Sequence, residues 1–219
     1  MIDNELAGRM QAGNAGCKVI NIPQDRIPEA GAVLARAFEH DPAIRYIFGI
    51  SVTVGAVRLQ DFYHLSCQLQ IKMSWPLFGV EKCDRIVSVA SLTLPGTSDS
   101  SNAALLRYRQ VEHLIGPEAG ARFKAFFKII DSHRPGEPHI FLGLLGVDPG
   151  VQGKGYGRML LEYTHRLSEE HSTSIGVALD TENPVNVPMY EHFGYRTAAI
   201  RRLNDLRIWC MFRPNGKYE

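Results

Sequence analysis

The chain predicts a mixed α/β domain whose sheet is partly antiparallel and partly parallel. Three observations carry this. Two apolar, strand-like stretches, 74–81 and 85–94, are joined by a short turn and read as a β-hairpin. A run of strand, glycine-rich turn, helix and strand between 137 and 180 reads as a parallel unit. Two closing stretches, "YRTAAIRRL" and "LRIWCMF", form a second antiparallel pair.

The elements follow in order. "CKVINI" (17–22) is a short first strand. Residues 27–40 carry Ile27, Ala30, Leu34 and Phe38 at helical spacing. Asp41-Pro42 is expected to break that helix. A second helical zone covers 54–73, and the hairpin follows it. Residues 101–131 read as a helical insert, with Leu105, Tyr108, Val111 and Leu114 on one face and a break at Gly116-Pro117. "EPHIFLGLLGV" (137–147) is an apolar strand, 155–170 a helix, 173–180 a strand and 186–194 a short helix.

Composition bounds the function. The 219 residues are 45% hydrophobic and 21% charged, ordinary values for a globular protein. One domain is expected over 16–219, with the insert at about 101–135 as an embellishment. Residues 1–15 are polar and read as a flexible tail, not a signal peptide. A net charge of +1 offers no field for nucleic acid or a membrane surface. No apolar run approaches the roughly 18 residues of a membrane span. Cys17, Cys67, Cys83 and Cys210 are scattered, which favours reduced thiols and a cytoplasmic protein. No His/Cys cluster has ligand spacing, so no metal is expected.

The sharpest signal is "PGVQGKGYGR", 149–158, placed between a strand and a helix. A helix leaves its first N–H groups without partners, and they carry partial positive charge. Gly153, Gly155 and Gly157 remove side chains that would hold a ligand away. Lys154 and Arg158 add full charge. A P-loop would need GxxxxGK[ST], and Lys154 is followed by glycine. A Rossmann loop would need GxGxxG, and the glycines here are spaced two and two. The pattern [QR]-x-x-G-x-[GA] is matched by Gln152, Gly155 and Gly157.

The run from Val147 to Gly157 resembles the acyl-CoA pyrophosphate loop of the GNAT superfamily of N-acetyltransferases. "ENPVNVPMYEHFGY" (182–195) resembles its second signature, an Asn, a Tyr seven residues on, then Gly-aromatic. The resemblance covers roughly 17–213. The insert and the form of the 139–147 strand look most like the puromycin N-acetyltransferase-like branch. The fold so implied is a mixed, mostly antiparallel central sheet with helices on both faces. The strands near 138–147 and 173–180 should splay into a V-shaped slot.

The resemblance implies a site residue by residue. Leu145, Gly146 and Val147 would offer backbone groups to the pantetheine arm of acetyl-CoA. Gln152, Gly153, Lys154, Gly155, Tyr156, Gly157 and Arg158 would hold the diphosphate. Asn183 and Asn186 would line the far wall, although Asn186 also reads as a helix N-cap. Tyr190 would be the general acid that protonates the departing CoA thiolate. The base is left open. Relatives place His or Glu where Phe141 and Gly143 stand here, so Asp180, Glu182, His139 or water must serve. The substrate wall is expected from Phe38, Asp41, Tyr46, Phe48, Phe62, Tyr63 and Trp75.

The implied activity is direct acetyl transfer from acetyl-CoA to a small-molecule primary amine, without a metal. The alternatives are a protein or peptide N-acetyltransferase and an acyl-CoA-binding module without turnover. The acceptor and the oligomeric state, a homodimer included, stay open.

Overall fold

The computed structural model describes residues 16–49, 56–96 and 101–216. The expected tail at 1–15 and the side chain of Leu105 lie outside the described residues. The chain runs β1 (Cys17–Asn21), α1 (Ile27–Ala37), α2 (Pro42–Phe48), α3 (Ala56–Lys72), β2 (Leu77–Lys82) and β3 (Arg85–Thr93). The insert follows as α4 (Ser101–Ile115) and α5 (Pro117–Asp131). Then come β4 (Ile140–Val147), α6 (Tyr156–Glu170), β5 (Gly176–Thr181), α7 (Asn186–His192), β6 (Arg196–Leu203) and β7 (Leu206–Pro214).

The seven strands form one sheet in the order β1-β2-β3-β4-β5-β7-β6. Only β4 and β5 pair in parallel; every other neighbour is antiparallel. Helices cover both faces, because apolar residues leave the sheet on both sides. Leu34 of α1, Phe62 of α3, and Phe123 and Ile130 of α5 share one core with Val89. Tyr156, Leu160 and Tyr163 of α6 share the other with Phe78, Ile140 and Val177.

Two local features differ from expectation. Asp41-Pro42 does end the helical reading at Phe38, but it also starts a new helix. The Asp41 carboxylate accepts the Ala43 N–H at 2.8 Å, and Pro42 occupies the first turn. A side-chain cap and a proline with preset φ nucleate α2 where the spacing suggested only a stop. At the other end of the chain, Val185 holds the N-cap position of α7 and Asn186 is the first helical residue.

The sheet is irregular where β4 passes its neighbours. Ser91 pairs with Leu144 and Leu92 with Leu142, so Gly143 is the extra residue of a bulge. On the other side, β4 and β5 pair only from Ile140/Val177 to Leu142/Leu179. Beyond that point β4 continues to Val147 and β5 to Thr181 without pairing. The two strands therefore part, and β4 presents an unpaired backbone edge toward the opening.

Candidate active site

The glycine loop occupies the end of this opening. Asp148 caps a single 3-10 turn by accepting the Gly150 N–H at 3.0 Å, and the Arg36 guanidinium grips its Oδ2 at 2.6 Å from α1. Gln152 donates from Nε2 to the Val147 carbonyl at 3.2 Å, which folds the loop back on the strand. Gly153 and Gly155 take φ of +77° and +84°, the left-handed region that glycine enters without strain. A Cβ at either would meet nothing within 4 Å, so both open onto free space. Gly155 is the N-cap of α6, and the N–H groups at 155–158 have no partner within the helix.

Gly157 and Gly146 have a different role from the open pair. A Cβ at 157 would press on Val147 Cγ2 at 3.2 Å. A Cβ at 146 would lie 2.9 Å from Leu34 Cδ2 and 3.0 Å from the Ala37 Cβ. These two glycines let α6 and α1 approach β4 closely. Tyr156 is likewise divided: its side chain is buried and its hydroxyl accepts from Lys82 Nζ at 2.8 Å, so only its backbone faces the loop. Arg158 leans along α6 and donates to Glu162 at 2.6 Å. Loop, unpaired β4 edge and helix N-terminus fit a diphosphate with an extended arm, because they combine open backbone donors with positive dipole charge.

The opening between β4 and β5 leads into a cavity of about 180 Å³. Leu145 lines it from β4, Asp180 and Thr181 from β5, and Asn186 and Tyr190 from α7. Asn186 reaches Thr181 Oγ1 with its amide at 3.4 Å. Asn183 is spent on the turn before α7, where its Oδ1 accepts the Val185 N–H at 3.1 Å. Tyr190 is 7% exposed and stacks edge-on to Tyr195. Burial, then the nearby carboxylates of Asp180 and Glu182, raises its phenol far above the ordinary tyrosine value. It therefore stays protonated at neutral pH.

Acidic groups gather beside Tyr190. Asp180 is pushed up to about 6, chiefly by burial, with the Glu182 hydrogen bond opposing. Glu182 is raised well above the usual carboxylate range by burial and then by the Asp180 charge. Burial also raises Asp41, against the pull of its bonds to the Ala43 and Ile44 N–H groups. His139 stands apart: it precedes β4, its Nδ1 bonds the Glu137 carbonyl at 2.8 Å, and it does not line the cavity.

Of the seven side chains expected on the substrate wall, Phe38, Asp41, Phe62, Tyr63 and Trp75 line the cavity, while Tyr46 and Phe48 do not. The insert supplies a wall that sequence reasoning missed. Phe123, Phe126 and Phe127 of α5 face the cavity, and Arg107 of α4 lies over the Phe127 ring at 4.5 Å. Arg134, just after α5, lies 3.8 Å over Phe141. The apolar spacing of 119–130 marks a buried face, but nothing local says that part of it faces a chamber. Arg122 of α5 donates to the Ile47 carbonyl at 2.7 Å, which fixes the insert to the end of α2.

Among the described residues, no group of three or more His, Cys, Asp or Glu side chains is placed to hold a metal ion. No described helix is long and apolar enough to cross a membrane.

Residues 120–197 match the family model described as an acetyltransferase (GNAT) domain. An uncharacterized N-acetyltransferase of Schizosaccharomyces pombe is 35% identical over 66 residues, 30% of this chain and 27% of that protein. The chain thus aligns with about a quarter of the length of that curated relative. A Corynebacterium glutamicum structure described as histone acetyltransferase HPA2 and related acetyltransferase superposes with a TM-score of 0.67 at 19% identity, covering 90% of this chain and 96% of its own. A Drosophila melanogaster polyamine N-acetyltransferase superposes with a TM-score of 0.63 at 15% identity, covering 90% and 98%. The parted central strands, the glycine loop and these likenesses converge: the protein has the fold of the GNAT acetyltransferases, and its residues 120–197 are similar in sequence to their domain.

Proposed function

We propose that the protein is a cytoplasmic, acetyl-CoA-dependent N-acetyltransferase that acts on a primary amine of a small molecule through one domain spanning 16–219. The observation that carries this reading is the continuous path from the open glycines, Gly153 and Gly155, along the unpaired edge of β4 to a cavity holding Tyr190. A likeness to the puromycin N-acetyltransferase-like branch belongs to the same proposal and rests on the helical insert. A small acceptor is favoured by the aromatic lining that Phe123, Phe126 and Phe127 of the insert add to the cavity.

Acetyl-CoA would supply an acetyl thioester, whose carbonyl carbon forms the new C–N bond as the C–S bond breaks. The chain's own residues do the rest. Backbone N–H groups at Gly153, Gly155 and the start of α6, with Lys154 and Arg158 beside them, bind diphosphate. The backbone at Leu145, Gly146 and Val147 aligns the extended arm, and a donor near Val147 stabilises charge on the carbonyl oxygen. Asn183 shapes the turn and Asn186 the wall opposite β4. Tyr190, held neutral, delivers a proton to sulfur.

The test is thiol release from acetyl-CoA with a panel of phenethylamine, putrescine, agmatine and peptides with free N-terminal or lysine amines. Turnover of the small amines supports the proposal. Turnover of peptides alone would move the activity to proteins. Binding of acetyl-CoA with no thiol release from any amine would leave a binding module.

A further inference from the structure

We propose that Asp180 and Glu182 act together as a carboxyl–carboxylate pair that receives the acceptor's ammonium group and takes up its proton. This inference rests on the acetyltransferase reading of the same cavity. The geometry is specific. Asp180 lies on β5 and Glu182 in the bend just after it, and the two side chains hydrogen-bond each other. Both line the cavity that also holds Tyr190. Glu182 Oε1 is fully enclosed, and no protein N–H or O–H donates to it. An enclosed carboxylate oxygen without a donor is costly, and a proton held between two carboxyls removes that cost. The pair then carries one negative charge: one member is the acid, the other the anion.

The surroundings fit this role. Asp41 from the start of α2 and Asp131 from α5 place further negative charge near Asp180, while Arg134 opposes them. Tyr63 of α3, Tyr190 of α7 and Cys210 of β7 also lie around the pair, all three held neutral by burial, and His133 lines a smaller cavity together with Asp180. The anionic member is thus both the partner an ammonium group would seek and a base matched to neutral pH.

One N–H proton of the ammonium passes to the anionic carboxylate, and the freed lone pair forms the C–N bond. The C–S electron pair goes to sulfur, which takes the Tyr190 proton. Tyr190 recovers a proton from nitrogen, and the pair returns its own to water. The sum is amide, CoA thiol and one proton.

The experiment compares the wild type with Asp180→Asn and Glu182→Gln, both isosteric, using the fastest amine of the panel and a less basic analogue of it. In the wild type the acid limb of kcat/KM should belong to the enzyme and stay in place for both amines. Asp180→Asn should lower kcat/KM by roughly 10²–10⁴-fold with the basic amine. The deficit should shrink with the less basic one, which a merely structural role would not produce. Independently of turnover, infrared spectra of the protein alone at neutral pH should contain a protonated-carboxyl band that Glu182→Gln removes. An acid limb that follows the amine's own pKa in the wild type, or an unchanged profile in both variants, would overturn the pair. Wild-type turnover with unaffected variants refutes the pair alone. Absence of thiol release from every amine refutes the acetyltransferase reading and the pair's role with it.

Discussion

Tyr190 is decided by a single oxygen. Its ring belongs to the core around Tyr195, and the residue also lines the cavity. Tyr190→Phe keeps the ring and its packing. Turnover should fall roughly 10²–10⁴-fold, the usual range for a lost general acid. Acetyl-CoA affinity should change little, because the loop lies elsewhere. Steady-state rates beside a calorimetric CoA titration on the same variant check both halves. Gly146 offers the opposite case, a residue whose importance is steric. A methyl there would lie within 3.1 Å of Leu34, Ala37 and Phe38. Gly146→Ala should cost about 1–3 kcal/mol of stability, as overpacking does, and denaturant unfolding measures it.

At the scale of elements, the loop before α6 and the bulge of β4 act on one slot. Gly155 at φ +84° caps α6, so replacing it with alanine forces a side chain into the left-handed region at a cost of roughly 1–2 kcal/mol. Gly157→Asp would combine a clash with Val147 and a carboxylate at the helix start proposed to hold the diphosphate. It should abolish the thermal stabilisation expected from acetyl-CoA in the wild type, read by melting with and without ligand. Protection by NAD or ATP in place of acetyl-CoA would reject the assignment of the loop.

For the whole molecule, ligand and proton linkage are the measurable consequences. Acetyl-CoA at about 100 times its dissociation constant adds about 2.7 kcal/mol to stability, and for a chain of this size that raises Tm by roughly 5–10 °C. Activity should survive EDTA, since no step calls on a metal. Asp180 has a folded pKa raised from 3.8 to about 6. The folded state therefore binds more protons than the unfolded state between those values, and this group's contribution falls as pH rises through that window. Asp180→Asn removes the penalty, so it should gain on the wild type by something on the order of 1–3 kcal/mol on going from pH 4 to pH 7. Denaturant midpoints at both pH values decide it, and an equal difference at each would refute the assignment.

The sequence by itself determined the element order apart from α2, the hairpins, the glycine loop and the position of Tyr190 after Asn183. These are local or short-range: periodicity, turn chemistry and fixed spacings survive without knowledge of partners. It also placed Phe38, Asp41, Phe62 and Tyr63 on a wall that the fold brings together. The tertiary structure decided the rest. Gly146 and Gly157 are packing glycines because of what approaches them from α1 and from β4. Phe126 and Phe127 line a chamber formed where the insert packs beside α2, to which Arg122 bonds. His139 lies away from the cavity because it precedes the strand. Asp180 and Glu182 are both pushed up because burial penalises their charged forms, and burial is a property of the folded chain alone.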